Sequence, residues 1–541
     1  MISYNPTLDQ IQHRVHSPWY KRVADRARGQ LTTANMVGLL GAFVALACLL
    51  GIPADQYWNI RIPLYLIVTI WTLVRPRAVL YLLPLAIPWG SVDTITGSLT
   101  SADILVALLA ASWLMSYTLR PLAAHRGIYI EALDYEETTV PWYLILSMIA
   151  FLVTIVISMT VALSLTDSAK EIAKWTEVLV VLTLGTKYLR TRQQIWTVVV
   201  IACLAGISQA ILGYAQAFLN LGPASFVRDA SLRTYGTFGQ PNPYAGYINI
   251  TLALAIALML LGRNWPTRIL SACTATPLAG VEYYSQSKGG WMAIGVAAIF
   301  ILAIGFPRLR GVLSAAFIGA LCIIGTYMAG KIPSSAIDPI LTKIGVINIS
   351  FTNPSPDNYA NSERVAHWIA GIHMFQDHPL LGVGIGNYQD AYSAYHLGTF
   401  VVPLGHAHDY YINIAAEAGL LGLTTFMLLL LTVFIAGHHA YQAINKRYQQ
   451  LKTQKLKSQG ITKMVASSNT SRCLATLGND RALAIGLLAA LLSVCVHNLV
   501  DNLYVHAMTS LFALQLVLLI CLGRIHWKAS TGEVPAAIKP S

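Results

Sequence analysis

The sequence is short of charge. Asp, Glu, Lys and Arg make up 11% of its 541 residues, under half the share of a typical soluble domain. Hydrophobic residues make up 55%, and mean hydropathy is +0.57. A soluble globular class is excluded, and domain counting by length with it. Cysteine is also sparse, at seven residues without a CxxC. Cys48, Cys203, Cys273, Cys322, Cys495 and Cys521 fall in apolar runs and Cys473 in a basic one, so neither a disulfide framework nor a zinc site is indicated. No repeat of fixed period is present. No basic stripe interleaves with aromatics on a soluble domain, so nucleic acid is not an expected partner. The first apolar run starts near Ala34, too deep for a signal peptide, and no cleavage site follows it.

What is abundant is apolar runs long enough to cross a bilayer. They lie near 34–53, 60–74, 79–90, 102–119, 141–163, 171–187, 195–219, 243–262, 267–284, 289–306, 311–330, 410–437, 483–502 and 506–523. The expected fold is an all-α polytopic membrane protein with about 14 (12–14) transmembrane helices, several of them interrupted by Pro63, Pro84, Pro88 or Pro277. The net charge of +12 is explained by topology. Residues 1–33 are basic (Arg14, Lys21, Arg22, Arg26, Arg28). Every second connection is basic too: Arg75 and Arg77; Arg120 and Arg126; Lys187, Arg190 and Arg192; Arg263 and Arg268; Arg308 and Arg310; then the 438–482 stretch and Arg524. Positive charge gathers in cytoplasmic loops, so both ends are expected inside.

The chain then divides into a cytoplasmic N-terminal segment (1–33), a transmembrane bundle (34–330), a large extracytoplasmic loop (331–409), a transmembrane helix (410–437), a basic cytoplasmic loop (438–482), two further spans (483–523) and a cytoplasmic tail (524–541). The long loop exceeds what a connector needs, which marks it as functional or disordered. In it, Asn361 or Ser362 is placed to cap a helix whose apolar face is Val365, Trp368, Ile369, Ile372 and Phe375, with Pro379 just past the end.

Arg233, Lys288, Arg364, His406 and His408 fall on the side that positive-inside statistics disfavour for cations. Arg233 sits in a turn with Gly236 and Gly239, which permit unusual backbone angles and close ligand approach. Lys288 opens a helix, where an anion is favoured. Arg364 lies beside Glu363 and is explained equally well by pairing with it. Convergent cations suit a phosphate-bearing ligand, and a nearby imidazole suits proton removal from an incoming hydroxyl. His406 and His408 could instead ligate a metal with Asp409, but no third strong ligand is evident. His367, His373, His378 and His396 read as surface or loop-packing residues. His497, Asp501, Asn502 and His506 cluster at a helix end, explicable as function or as helix-to-helix hydrogen bonding. GVGIGN at 382–387 follows no strand, so it is not a dinucleotide loop. Lys174 and Glu177 are spaced for local pairing.

Four stretches share a pattern with known proteins. His408-Asp409 is followed by nine residues, then Gly419-Leu-Leu-Gly422, Leu423 and Thr424-Thr425. RTYGTFGQPNPYAGY begins at Arg233, SQSKGG contains Lys288, and HPLLGVGIGNY precedes the histidines. Over about residues 170–510 the chain resembles the O-antigen ligase and O-antigen polymerase superfamily of bacterial inner-membrane glycosyltransferases. Asp409 stands where that family carries Asn, Ser or Gln, and Lys288 where it carries Arg, which keeps the charge but loses the bidentate fork. The resemblance implies a GT-C-like glycosyltransferase fold in the inner membrane with its active site on the extracytoplasmic face. It implies a polyprenyl-diphosphate-linked glycan donor and a glycan, lipid or protein hydroxyl acceptor, with no metal and no cofactor. His408 would be the base and Arg233 and Lys288 the diphosphate ligands; Arg364, Tyr235, Asn242, His406 and Tyr411 would contact sugar or phosphate. The alternative is an inorganic-carbon or other small-anion transporter of the same superfamily. A third reading, a scaffold, would need none of these side chains.

Overall fold

The computed structural model describes residues 58–90, 94–96, 99–126, 140–228, 231–333, 335, 349–355, 358–458 and 466–531. The N-terminal segment, the first expected span at 34–53 with Cys48, and the end of the C-terminal tail lie outside them. The helices are α1 (Trp58–Val74), α2 (Arg77–Trp89), α3 (Ser101–Arg126), α4 (Trp142–Ser158), α5 (Leu165–Tyr188), α6 (Arg192–Leu219), α7 (Pro241–Leu261), α8 (Trp265–Ser285), α9 (Lys288–Gly305), α10 (Arg310–Met328), α11 (Tyr359–Asp377), α12 (Tyr388–Ala391), α13 (Tyr410–Ser458), α14 (Ala466–His497) and α15 (Met508–Thr531). Two small antiparallel hairpins, β1–β2 (Thr94–Thr96, Leu99–Thr100) and β3–β4 (Val227–Arg228, Ser231–Leu232), complete the described elements. Among the described residues, eight helices are long and apolar enough to cross a membrane, and the protein is an all-α, multi-pass membrane protein. Every expected span from 60 onward coincides with a helix. In hydrocarbon the backbone must satisfy its own hydrogen bonds, which is why these runs become helices.

The core is built on α7, buried along nearly its whole length and packed against α6, α8, α9 and α14. α13 packs on α4, α14 and α15. Around Trp175, the rings of Phe151, Tyr410, Phe426 and Tyr504 tie α4, α5, α13 and the α14–α15 turn together. α10 has no buried residue.

The basic connections meet at one end of the bundle. The buried Asp480 carboxylate accepts from Arg192 Nε at 2.8 Å, Trp196 Nε1 at 2.8 Å and the His526 ring at 3.0 Å. Nearby, Arg481 Nε donates to Asn445 at 2.9 Å, the Arg263 N–H to Asn479 at 2.8 Å, and Arg524 to the carbonyls of Thr186 and Leu189. This stretch is largely helical: α13 runs on to Ser458 and α14 starts at Ala466. Two local expectations change. Lys174 pairs with Glu171 at 2.6 Å, not with Glu177, whose carboxylate accepts from Ser510. The loop helix α11 starts at Tyr359, ahead of the expected caps at Asn361 and Ser362, and Asn358 takes the cap position.

α13 is broken at Gly419, whose φ of 64° and ψ of −162° are not helical. The carbonyls this frees are taken by the 379–386 loop: the Val383 N–H donates to Ala416 and the Gly384 N–H to Glu417, while the Leu420 N–H donates to Pro379. Ser158, ending α4, donates to the Glu417 carbonyl at 2.9 Å and accepts from the Ile385 N–H at 3.0 Å. At the other end of the 410–418 segment, the Tyr410 N–H donates to Asn498, just past α14. Both ends of the segment therefore meet the ends of membrane helices on the face opposite the basic one. α11 packs on α13.

Candidate active site

His406 and His408 stand at the mouth of α13. The His408 backbone is left-handed, with φ at 55°, a conformation that non-glycine residues keep only where surroundings hold it. Three contacts hold it. Its N–H donates to His406 Nδ1 at 3.0 Å, its carbonyl accepts from Trp368 Nε1 at 3.1 Å, and Asn413 accepts from the Ala407 N–H at 3.0 Å. Asp409 is not the partner of His408. Its carboxylate accepts from the N–H groups of Tyr411 and Ile412, at 2.8 and 3.0 Å, and so caps α13.

The partner is Asp501, buried in the turn after α14. Its Oδ1 lies 3.6 Å from His408 Nδ1 and 3.9 Å from His406 Nε2. Burial pushes the Asp501 carboxyl up, but the His408 ring facing it and the neighbouring His406 and His497 rings outweigh it and hold the group well below the usual carboxylate range. Asp501 is therefore an anion. Nδ1 of His408 faces this carboxylate at 3.6 Å, longer than a hydrogen bond, and has no hydrogen-bond partner among the described residues. The turn is rigid: Asn498 accepts from the Leu503 N–H, and Lys174 donates to the Tyr504 carbonyl at 2.9 Å.

Arg233 reaches the same neighbourhood from the 231–240 turn. Its Nε donates to the Ser285 carbonyl at 2.9 Å and its Nη2 to Asn242 Oδ1 at 3.3 Å. Gln216 and Gln209 hold this turn, accepting from the N–H groups of Tyr235, Gly236 and Thr237. Gly236 has φ of 53°, and a methyl there would stand 2.5 Å from the Tyr244 ring. Burial lowers the Arg233 guanidinium to about 10; Arg228 and Arg364 push the same way and Asp501 opposes them. Arg364 and Asp501 thus both act on Arg233, and Arg228 and Arg364 act on Lys288 as well. Lys288 is exposed at the start of α9. Its neighbour Gly289 lies against His497: an added Cβ would be 2.9 Å from that ring. His497 in turn feels Asp501 and Arg364.

Arg364, on α11, makes no ion pair with Glu363 among the described residues, and its buried Nε has no hydrogen-bond partner among them. Pairing with Glu363 therefore does not account for it. Arg233, Lys288, Arg364 and the His406–His408–Asp501 cluster are linked by electrostatic action on one another, and Asn242 accepts from Arg233. Tyr235 and Tyr411 are tied elsewhere. The Tyr235 hydroxyl donates to the Leu221 carbonyl at 3.1 Å and that of Tyr411 to the Cys495 carbonyl at 2.9 Å.

Sequence reasoning gave His367 a surface or packing role, and the structure buries it against the site. It stacks on Tyr392 at 4.4 Å and stands edge-on to His408 at 5.5 Å. Arg228 and the role of Asp501 were missed. An acid beside His497 in a helix-ending turn was the available signal for Asp501; nothing in the sequence marked it as the partner of His408.

Asp501 also supplies the third ligand that the sequence lacked: the donor atoms of His406, His408 and Asp501 all lie within 4.8 Å of one another. The tautomer argues against a metal there. His406 Nδ1 accepts the His408 N–H, so in the neutral ring Nε2 carries the proton. Nε2 is then a donor facing Asp501, with no lone pair for a cation.

Residues 273–427 match the family model described as O-Antigen ligase. The match holds Lys288, Arg364, His406, His408 and the Gly419 break; Arg233 precedes it and Asp501 follows it. No curated protein matches the chain. The resemblance to the O-antigen ligase superfamily thus holds over this stretch, under a third of the chain.

Proposed function

We propose that the chain is a membrane glycosyltransferase, O-antigen ligase-like or polysaccharide polymerase-like, that moves a glycan from a polyprenyl diphosphate to an acceptor hydroxyl on the extracytoplasmic face of the bacterial inner membrane. The observation that carries this reading is the His408–Asp501 pair set beside three cations. His408 Nε2 takes the acceptor proton. The acceptor oxygen attacks the anomeric carbon from the side opposite the phosphate, and the carbon–oxygen bond to phosphate breaks with its electron pair on the diphosphate. Arg233, Lys288 and Arg364 stabilise that leaving charge, which a preformed cationic site does without reorganisation. Asp501 balances the imidazolium. No metal is required, because arginine and lysine supply the positive charge.

The transporter alternative calls for a site near the bilayer midplane, whereas these groups gather at helix ends. The test is deletion of the protein followed by complementation and analysis of envelope glycans. Deletion is expected to leave unattached chains if the protein is a ligase, or single repeat units if it is a polymerase. His408→Ala and Arg233→Ala are expected to leave that defect unrepaired although the protein accumulates. Full repair by His408→Ala would point to a scaffold and end the enzymatic reading.

A further inference from the structure

Immediately before His406 the chain runs Thr399-Phe-Val-Val-Pro-Leu-Gly405. Its start is fastened: the Thr399 N–H donates to the Phe351 carbonyl at 2.9 Å, the Tyr392 hydroxyl to the Phe400 carbonyl at 2.7 Å, and buried Phe400 packs on Tyr359 at the start of α11. Its end is fastened through His406 and His408. Between these anchors Val401, Val402 and Leu404 are 55%, 62% and 38% exposed, and Pro403 is exposed with them. Four consecutive exposed apolar residues on a fixed loop face something other than water.

We infer that residues 401–404 are seated in the lipid leaflet on the face that carries the histidines. The loop hangs from the start of α11 and ends two residues from His406, whose ring stands 3.9 Å from Asp501 in the turn after α14. No Asp, Glu, Lys or Arg occurs between 391 and 405, so the segment carries no charged side chain that acyl chains would have to dehydrate. The inference does not depend on the transfer chemistry, and its test needs no activity.

The test places a spin label on the full-length chain in lipid nanodiscs, with the native cysteines replaced by alanine. Val401→Cys and Val402→Cys carry the label in turn, and exposed Ser393→Cys, in the same segment, serves as the aqueous reference. Collisions with oxygen, which concentrates in lipid, are compared with collisions with a water-soluble nickel chelate. The expected result is an oxygen-to-nickel ratio several-fold higher at either valine than at Ser393. Ratios like that of Ser393 at both valines would overturn the inference, as would labels shielded from both reagents, which would mean a covering protein. A failure here leaves the glycan-transfer test untouched, and the reverse also holds.

Discussion

At the scale of single residues, the proposed chemistry rests on which nitrogen of His408 is free. In that proposal Asp501, which accepts only, selects the Nδ1–H tautomer. Asp501→Asn would keep the volume but present an amide able to donate, which lets the ring turn its lone pair inward and its proton outward. Glycan transfer is expected to fall by roughly 10²–10⁴ in turnover with little change in donor KM; equal losses in Asp501→Asn and an unrelated exposed control would show that Asp501 does not orient the base. A second prediction concerns pH. Burial, reinforced by His408 and His406, lowers His367 to about 3 from 6.5. Burial, reinforced by His408 and opposed by Asp501, lowers His406 to about 4. Below 6.5 the unfolded chain binds protons that the folded one refuses, so stability present above that pH drains away as pH falls toward 4. The melting temperature in detergent should drop across this window, and His367→Phe, which keeps the stacking on Tyr392, should flatten part of the drop. His408 and the cations were legible from residue type and spacing; Asp501 was not, because its partner is set by packing and not by chain position.

Among the elements, the Gly419 break explains the spacing of the motif. The nine residues after Asp409 form the first segment of α13, and the glycine ends it. A methyl at Gly419 would stand 2.3 Å from the Leu380 carbonyl, and one at Gly382 2.3 Å from the Glu417 backbone. Both residues have positive φ, so side chains there are opposed twice, by strain and by contact. Gly419→Ala is expected to cost roughly 3 kcal/mol and to unfasten α11, carrying Arg364 away from His408. Thermal unfolding measures the first effect and glycan transfer the second; an unchanged melting curve would show that the stitch does not hold the 410–418 segment. Helix positions could be read from apolar runs, since lipid imposes helices on them. The break could not, because its geometry depends on a loop brought in from another part of the chain.

For the whole molecule, the two faces are held by different means. The basic face is clamped by Asp480, whose loss would leave Arg192, Trp196 and His526 without their common acceptor. Asp480→Ala should destabilise by roughly 3 kcal/mol, toward the low end for buried pairs because Arg192 keeps some solvent. The folded fraction should retain its donor KM, since the clamp lies at the opposite end from the site. Sidedness has its own test at exposed Cys473. An impermeant thiol reagent added to intact cells should leave it unlabelled and should reach it once the membrane is opened. Labelling in intact cells would place the basic face outside, and the cation group on the wrong side for the proposed donor.

Composition and charge alternation by themselves determined an α-helical membrane chain with basic connections on one face and a few cations stranded on the other, because the cost of exposing backbone or charge to hydrocarbon is local and can be read residue by residue. The resemblance named His408, Arg233 and Lys288 without saying how they meet. Only the tertiary structure decided that Asp501 faces the imidazole, that Asp409 caps a helix, and that Arg364 acts on Arg233 and Lys288. Those outcomes depend on distances between segments far apart in the chain, which the packing of α7, α13 and α14 sets.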